Sequence, residues 1–270
     1  MNPVAVEARK VWALTRRDMY QWSTYKSQMT TTILTALLGL ASWGFVATFR
    51  NVPIQQYNTD YVSFLMVGIL ISNGIFPLQR SLERGLNPWT LETVLMTGVR
   101  PTTFVLGTVA WTYLLSVILL IPQLLIGILV FGARLNIDPL SLFLALSLSS
   151  IIVFSLAMIS TGIRMVTKVS DPVTWSLTAG GSILAGMTFP IEHLNSLVPG
   201  LSSFSWILPH TWIYHIVRLS ALTGASLFDV PVALNFLGAG LIALIILPIG
   251  LYVFRWGLRR AKRDGTLGWF

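Results

Sequence analysis

His193-Leu-Asn-Ser-Leu-Val-Pro-Gly-Leu-Ser-Ser-Phe-Ser-Trp-Ile-Leu-Pro-His-Thr-Trp-Ile-Tyr-His-Ile-Val217 runs for 25 residues without Asp, Glu, Lys or Arg. About 20 mostly apolar residues suffice to cross a bilayer, so length alone would make this a span. Its punctuation argues otherwise. Pro199, Gly200 and Pro209 interrupt it, and it holds all 3 histidines of the chain and serines at 196, 202, 203 and 205. Proline removes a backbone donor and clashes with the preceding turn. The stretch therefore predicts two short broken helices that enter the membrane and return, a re-entrant segment over 191–225.

Outward from it lie six longer runs without formal charge, roughly 29–49, 61–79, 104–131, 141–163, 173–190 and 231–254. Each predicts a transmembrane helix, because a lipid-facing backbone must satisfy its own hydrogen bonds. A membrane β-barrel would show short alternating segments, and these runs are continuous. The positive-inside rule favours six spans with both termini cytoplasmic: 15 Lys/Arg fall inside and only Arg50, Arg134 and Arg218 outside. Letting 193–217 cross would change the split to 11 and 7. The expected fold is all-α and membrane-embedded, a single domain over 1–270.

Composition agrees. The 270 residues are 54% hydrophobic and only 10% charged, against about 25% charged in soluble domains. Such a chain cannot cover a globule with water-compatible side chains, which excludes an ordinary soluble enzyme, a disordered chain and a fibrous repeat. With Cys 0 there is no disulfide framework, thiolate metal site or Cys nucleophile. No cleavable signal peptide is expected, since the first apolar run starts near 29 and exceeds an h-region.

The net charge of +8 belongs to the membrane surface rather than to nucleic acid. Residues 4–25 predict an interfacial amphipathic helix, with Val4, Ala8, Val11, Trp12, Thr15, Met19 and Trp22 on one face and Arg9, Lys10, Arg16 and Arg17 opposite. Arg255, Arg259, Arg260, Lys262 and Arg263 read as a C-terminal topology anchor.

None of the six runs holds an ionisable group for a coupling ion or a carboxylate for catalysis. Sodium bound by hydroxyls and carbonyls alone stays open. His210 and His215, five apart, sit about 140° from each other on a helix, whereas a zinc pair wants i, i+4; they read as interfacial polar residues, with metal ligation the alternative. No GxxxxGK[ST] loop is present, so no nucleotide is hydrolysed through a P-loop of this chain. What is left is a channel or a permease driven by a partner.

The loop at 80–103 is the most informative. It contains Glu83-Arg84-Gly85, Thr90-Leu91-Glu92, Leu95, Thr97 and Val99-Arg100-Pro101, followed by Gly107. Thr90 is a candidate N-cap of a short helix ending near Gly98, with Leu91, Val94 and Leu95 on one side. This resembles the coupling loop of the membrane subunits of ABC type-2 exporters, "E-R-x-x-G-T-L-E-x-L-L-x-T-P-V-R", departing from it over Leu86–Trp89 and at Gly98. A second likeness is the order Gly186, Pro190, Pro199, Pro209, Arg218 and Gly224 around the re-entrant segment. With the interfacial helix and the span count, the resemblance covers nearly the whole chain.

The resemblance implies a permease subunit that pairs with a second permease subunit, as a homo- or heterodimer, and docks on two copies of a cytoplasmic ATPase in a prokaryotic inner membrane. The chain itself would be no enzyme and hold no cofactor; ATP and Mg would be bound by the partner. Glu83, Arg84, Leu91, Glu92, Leu95 and Arg100 are the expected docking residues. Gly180, Gly181, Ala185 and Gly186 are small enough for close helix approach and are candidates either for pairing or for packing within one subunit. Sparse hydroxyls, amides and aromatics, Ser42, Trp43, Asn73, Phe76, Thr178 and Ser182, are candidate pathway residues for a hydrophobic or amphiphilic cargo. An ion-coupled carrier, a passive channel and a lipid-modifying enzyme are the competing classes.

Overall fold

The computed structural model describes residues 3–49, 52–79, 97, 99, 101–168 and 180–265. Helix α1 spans Pro3–Thr24 and α2 Lys26–Thr48; a two-stranded antiparallel ribbon (β1 Pro53–Ile54, β2 Thr59–Asp60) leads into α3, Tyr61–Gly74. Helices α4 (Pro101–Leu129) and α5 (Pro139–Thr167) follow. Then come short pieces: α6 Gly181–Leu184, a 3-10 turn Ile191–His193, α7 Leu194–Leu197, α8 Leu201–Ser205, α9 Pro209–Arg218 and a π turn Leu219–Thr223. Helix α10, Val230–Arg263, closes the chain.

Among the described residues five helices are long and apolar enough to cross a membrane: Lys26–Thr48, Tyr61–Gln79, Thr103–Leu129, Pro139–Thr167 and Val230–Arg263. This is the make-up of an all-α, multi-pass membrane protein. They match five of the six charge-free runs. Of the sixth, 173–190, residues 173–179 lie outside the described set; the described remainder holds only the single turn α6 before Gly186 adopts φ +77. No long helix forms over 191–225, where Pro199 and Pro209 break the chain. Most of the loop 80–103 is also outside the described residues, and α4 begins at Pro101, three positions before the expected span, because proline suits the first helical turn.

Helix ends follow local chemistry. The Asp60 carboxylate accepts from the Ser63 N–H at the start of α3, and Asp138 accepts from the Ser141 N–H (2.9 Å) and hydroxyl at the start of α5. The Ser141 hydroxyl, and then its N–H, hold the Asp138 carboxyl below its ordinary range. α10 runs 34 residues, about 51 Å at 1.5 Å per residue. It thus continues well past the apolar run and carries its arginines on an unbroken helix.

The two ends of the bundle have separate cores. The basic end joins α1, α4, α5 and α10 through Leu14, Phe104, Val105, Met158, Met165, Phe254, Leu258 and Ala261. The far end and middle gather α2, α3, α5, α9 and α10 around Leu40, Phe64, Leu65, Ile152, Ile213, Ile216 and Phe236. α1 buries Leu14 and Thr15 against α4, where the Thr15 hydroxyl donates to the Gly107 carbonyl (3.3 Å) and the Thr103 hydroxyl to Glu7 Oε2 (2.5 Å). Trp22 meets Trp111 edge-on. Trp12 remains 60% exposed and Met19 lies on the same side. The apolar surface of α1 is therefore wider than expected: one edge docks on protein, the adjacent edge stays free for the headgroup layer.

The tightest helix pair is α5 with α10. A Cβ at Gly162 would sit 2.5 Å from the Val253 carbonyl oxygen, one at Gly250 2.7 Å from that of Ser155, and one at Gly257 2.3 Å from that of Gly162. Backbone meets backbone, which only small residues permit. Gly162→Ala is expected to cost about 1–3 kcal/mol as overpacking. Gly240→Ala, on the same α10 but with nothing within 4 Å, is expected to leave stability equal or slightly higher. Thermal unfolding in detergent of the two single variants checks this; equal melting temperatures would refute the close approach.

Candidate functional site

α9 lies along α3 and carries a column of polar side chains at i, i+4 and i+8: His210, Tyr214 and Arg218. Each meets a residue of one α3 stripe. Arg218 lies over the Phe64 ring, its guanidinium carbon 3.6 Å from the ring centre. Tyr214 shares a hydrogen bond with Ser72 (Oη to Oγ, 2.7 Å). His210 stacks on Phe76, centroids 5.2 Å apart. The column thus reaches from near the start of α3 to close to its end.

Arg218 is the anchor. It is 2% exposed, and it donates from Nη1 to the Gly186 carbonyl (2.7 Å) and from Nη2 to the Met187 carbonyl (2.6 Å). Among the described residues it has no carboxylate partner. Burying an unpaired cation is costly. Charge-assisted bonds of about 1.5–3 kcal/mol each and an aromatic face worth about 2 kcal/mol when desolvated offset that cost. Gly68 makes room for it: a Cβ there would lie 2.6 Å from Nη2 and 2.4 Å from the Met187 oxygen. The Nε is buried without a partner.

A rim closes over this anchor. The Tyr57 hydroxyl and His215 Nδ1 are 2.8 Å apart, and Tyr61 donates to the Thr188 carbonyl (3.0 Å). Trp206 packs edge-on against His215 and accepts at its carbonyl from Trp212 Nε1 (2.9 Å). The Asn136 and Asp138 N–H groups donate to the carbonyls of Ala221 and Ser220, tying the α4–α5 connection to the π turn. At the other end of the column polar groups go unmet. Both ring nitrogens of His210 and both amide atoms of Gln79 are buried without partners among the described residues.

His210 and His215 face different neighbours, as their five-residue spacing requires. Both are buried, at 1% and 7% exposed; of the three only His193 is exposed. His210 is covered by Phe76, and His215 by Tyr57 and Trp206. No group of three His, Asp or Glu able to hold a metal occurs among the described residues. The arrangement is a polar seam that fixes a broken segment to a long helix.

The expected pathway residues divide. Phe76 and Ser182 belong to the seam, where Ser182 hydrogen-bonds Tyr214. Asn73 is turned toward α4 and donates to Gln123 Oε1 (2.6 Å). Ser42 and Trp43 lie on an exposed face of α2 with Leu38 and Phe45. Thr178 is outside the described residues, as are the expected docking residues Glu83, Arg84, Leu91, Glu92, Leu95 and Arg100. Of the small residues, Gly181 lies under His210, Ala185 is fully buried and Gly186 turns the chain against Ile191, all within the subunit; a Cβ at Gly180 would meet none of the described residues within 4 Å. Tyr57, Tyr61, Gly68 and Tyr214 were not legible as site residues; Arg218 was marked by the order of residues around the re-entrant segment, without a role. No protein-family model and no curated protein matches the chain.

The seam is tested with the chain's lack of cysteine, which makes an introduced thiol unique. Arg218→Gln in a Thr188→Cys background is expected to raise maleimide labelling several-fold by releasing the Gly186–Met187 turn. Arg218→Lys is expected to rescue little, because a point charge does not reproduce a guanidinium fork across two carbonyls. Unchanged labelling in Arg218→Gln would refute the anchoring role.

Proposed function

We propose that this chain is the permease subunit of an ATP-driven exporter of the ABC type-2 kind, moving a hydrophobic or amphiphilic cargo out of the cytoplasm or inner leaflet. A drug, a lipid or a lipid-linked glycan fits that class. The reading places both termini and the loop 80–103 in the cytoplasm of a prokaryotic cell, in its inner membrane, with two ATPase subunits bound to a pair of permease subunits. ATP and Mg belong to those partners, and this chain performs no chemistry.

One observation carries it: α1 is clamped to the start of α4, the helix that emerges directly from the loop resembling a coupling loop. Glu7 with Thr103 and Thr15 with Gly107 make that clamp. A partner pushing on 80–103 therefore moves α1 and α4 together. The basic-end core passes the movement to α5 and α10, which are locked backbone to backbone. Far from the push, the α3–α9 seam is held by side chains and is the part able to change packing. Coupling requires that the ATP state of the partner favour one arrangement over the other. The exposed face of α2 around Ser42 and Trp43 offers an apolar wall to a cargo or to a second subunit.

Co-expression with its chromosomal neighbours is the decisive experiment. The chain is expected to co-purify with a P-loop protein, and Arg84→Ala/Glu92→Ala to lose that association while remaining folded. Glu7→Gln/Thr103→Val is expected to keep the association but to reduce transport per ATP hydrolysed several-fold. Uphill cargo movement by the chain alone in liposomes would instead establish an ion-coupled carrier. Downhill flux alone would establish a channel, and lipid turnover in detergent an enzyme.

A further inference from the structure

α10 has two faces. Gly250, Phe254, Gly257, Leu258 and Ala261 are buried against the bundle. Round the helix from them Pro248, Leu251, Tyr252, Arg255, Trp256 and Arg259 line an open cavity of about 380 Å³, with Leu251 at its edge, half-buried against the basic-end core. At 100° per residue these six fall within less than half the helix circumference. Along the axis the apolar residues Pro248 and Leu251 come first, and beyond them aromatic and cationic residues alternate: Tyr252, Arg255, Trp256, Arg259. Tyr252 is 72% exposed. Neither Arg255 nor Arg259 has an ion-pair or hydrogen-bond partner among the described residues. Arg260, on another side, is already bridged to Asp264 at 3.1 Å.

We infer that this face of α10 is a binding site for one anionic phospholipid, its phosphate held by Arg255 and Arg259 and its glycerol and upper acyl chains lying on Tyr252, Trp256, Leu251 and Pro248. An apolar end followed by interleaved aromatics and arginines selects this ligand. Arginines one turn apart present two forks to a single phosphate, and aromatic rings sit at headgroup depth. The apolar floor is the continuation of a membrane span, where a soluble anion gains nothing and an acyl chain gains contact. About 20 residues of α10 cross the hydrocarbon, which puts the arginines at the phosphate layer of the leaflet.

The test is native mass spectrometry of the full chain released from detergent, titrated with phosphatidylglycerol, cardiolipin or phosphatidylcholine. Wild type is expected to retain one anionic lipid and to prefer it over phosphatidylcholine about tenfold or more, given the attraction of two surface cations. Arg255→Gln/Arg259→Gln is expected to lose that preference. Arg260→Gln/Arg263→Gln, an equal loss of charge on the same helix, is expected to keep it. Equal losses in the two variants, equal retention of phosphatidylcholine, or displacement of the lipid by 10 mM inorganic phosphate would overturn the site. A second measurement needs no arginine change: phosphatidylglycerol brominated on its acyl chains is expected to quench a fraction of the tryptophan emission that is missing in Trp256→Phe. An identical quenched fraction in that variant also overturns it.

Discussion

A broken backbone buried inside a helical bundle has to have its carbonyls satisfied by protein, and in this chain that cover is anchored by one guanidinium. Residues 180–224 turn repeatedly, at Gly186, at Pro199 and Gly200, and at Pro209. In hydrocarbon each free carbonyl at such a turn would cost several kcal/mol. Arg218 takes two of them, at Gly186 and Met187. Its own desolvation is met by those carbonyls and by Phe64, which is why α3 must present an aromatic at 64 and no side chain at 68. Once the anchor is set, Tyr214 and His210 fall onto Ser72 and Phe76 by helical spacing alone. The rim of tyrosines and the tie from Asn136 and Asp138 then have a fixed surface to close on.

The opposite end is built from different physics. There the contacts are apolar and interhelical, and polar groups serve as fine positioning. Thr103 and Thr15 each use one hydroxyl to fix α1 on α4. Asp18, on the same side of α1, is raised above the ordinary carboxylate range by burial, an effect that the Arg17 guanidinium at 2.7 Å counters. α1 is thus a structural part of the bundle as well as a surface helix.

Much of the architecture was legible because lipid imposes a simple demand: length without charge. Four of the five long helices end within three or four residues of the charge-free runs. α10 is the exception, because Arg255 to Arg263 are polar yet excellent helix formers, so the helix outlives its apolar part. The orientation of α1 was legible only to within about a quarter turn. Apolar periodicity marks the lipid face and the protein face alike, and Leu14 belongs to the second. The seam was not legible. Its partners are 142 and 158 residues apart in Ser72–Tyr214 and Tyr57–His215, and no local pattern pairs them. The α5–α10 contact did leave a signal, small residues seven apart at 155 and 162 and again at 250 and 257. The glycine-rich run at 180–186 drew attention away from it, although most of that run serves internal turns.

Stiffness and looseness are unevenly distributed, and that bears on how such a protein works. α5 and α10 touch through backbone over several turns, a contact with no alternative rotamers and so no second arrangement. α9 touches α3 through long side chains, with Gln79 and His210 unsatisfied among the described residues at one end of the seam. Unpaired buried polar atoms raise the free energy of the packing that buries them, by about 1–3 kcal/mol for each group. The seam is therefore held firmly at Arg218 and under tension at His210. A rearrangement that pivots about the guanidinium and lets His210 and Gln79 find hydrogen-bond partners would recover part of that cost.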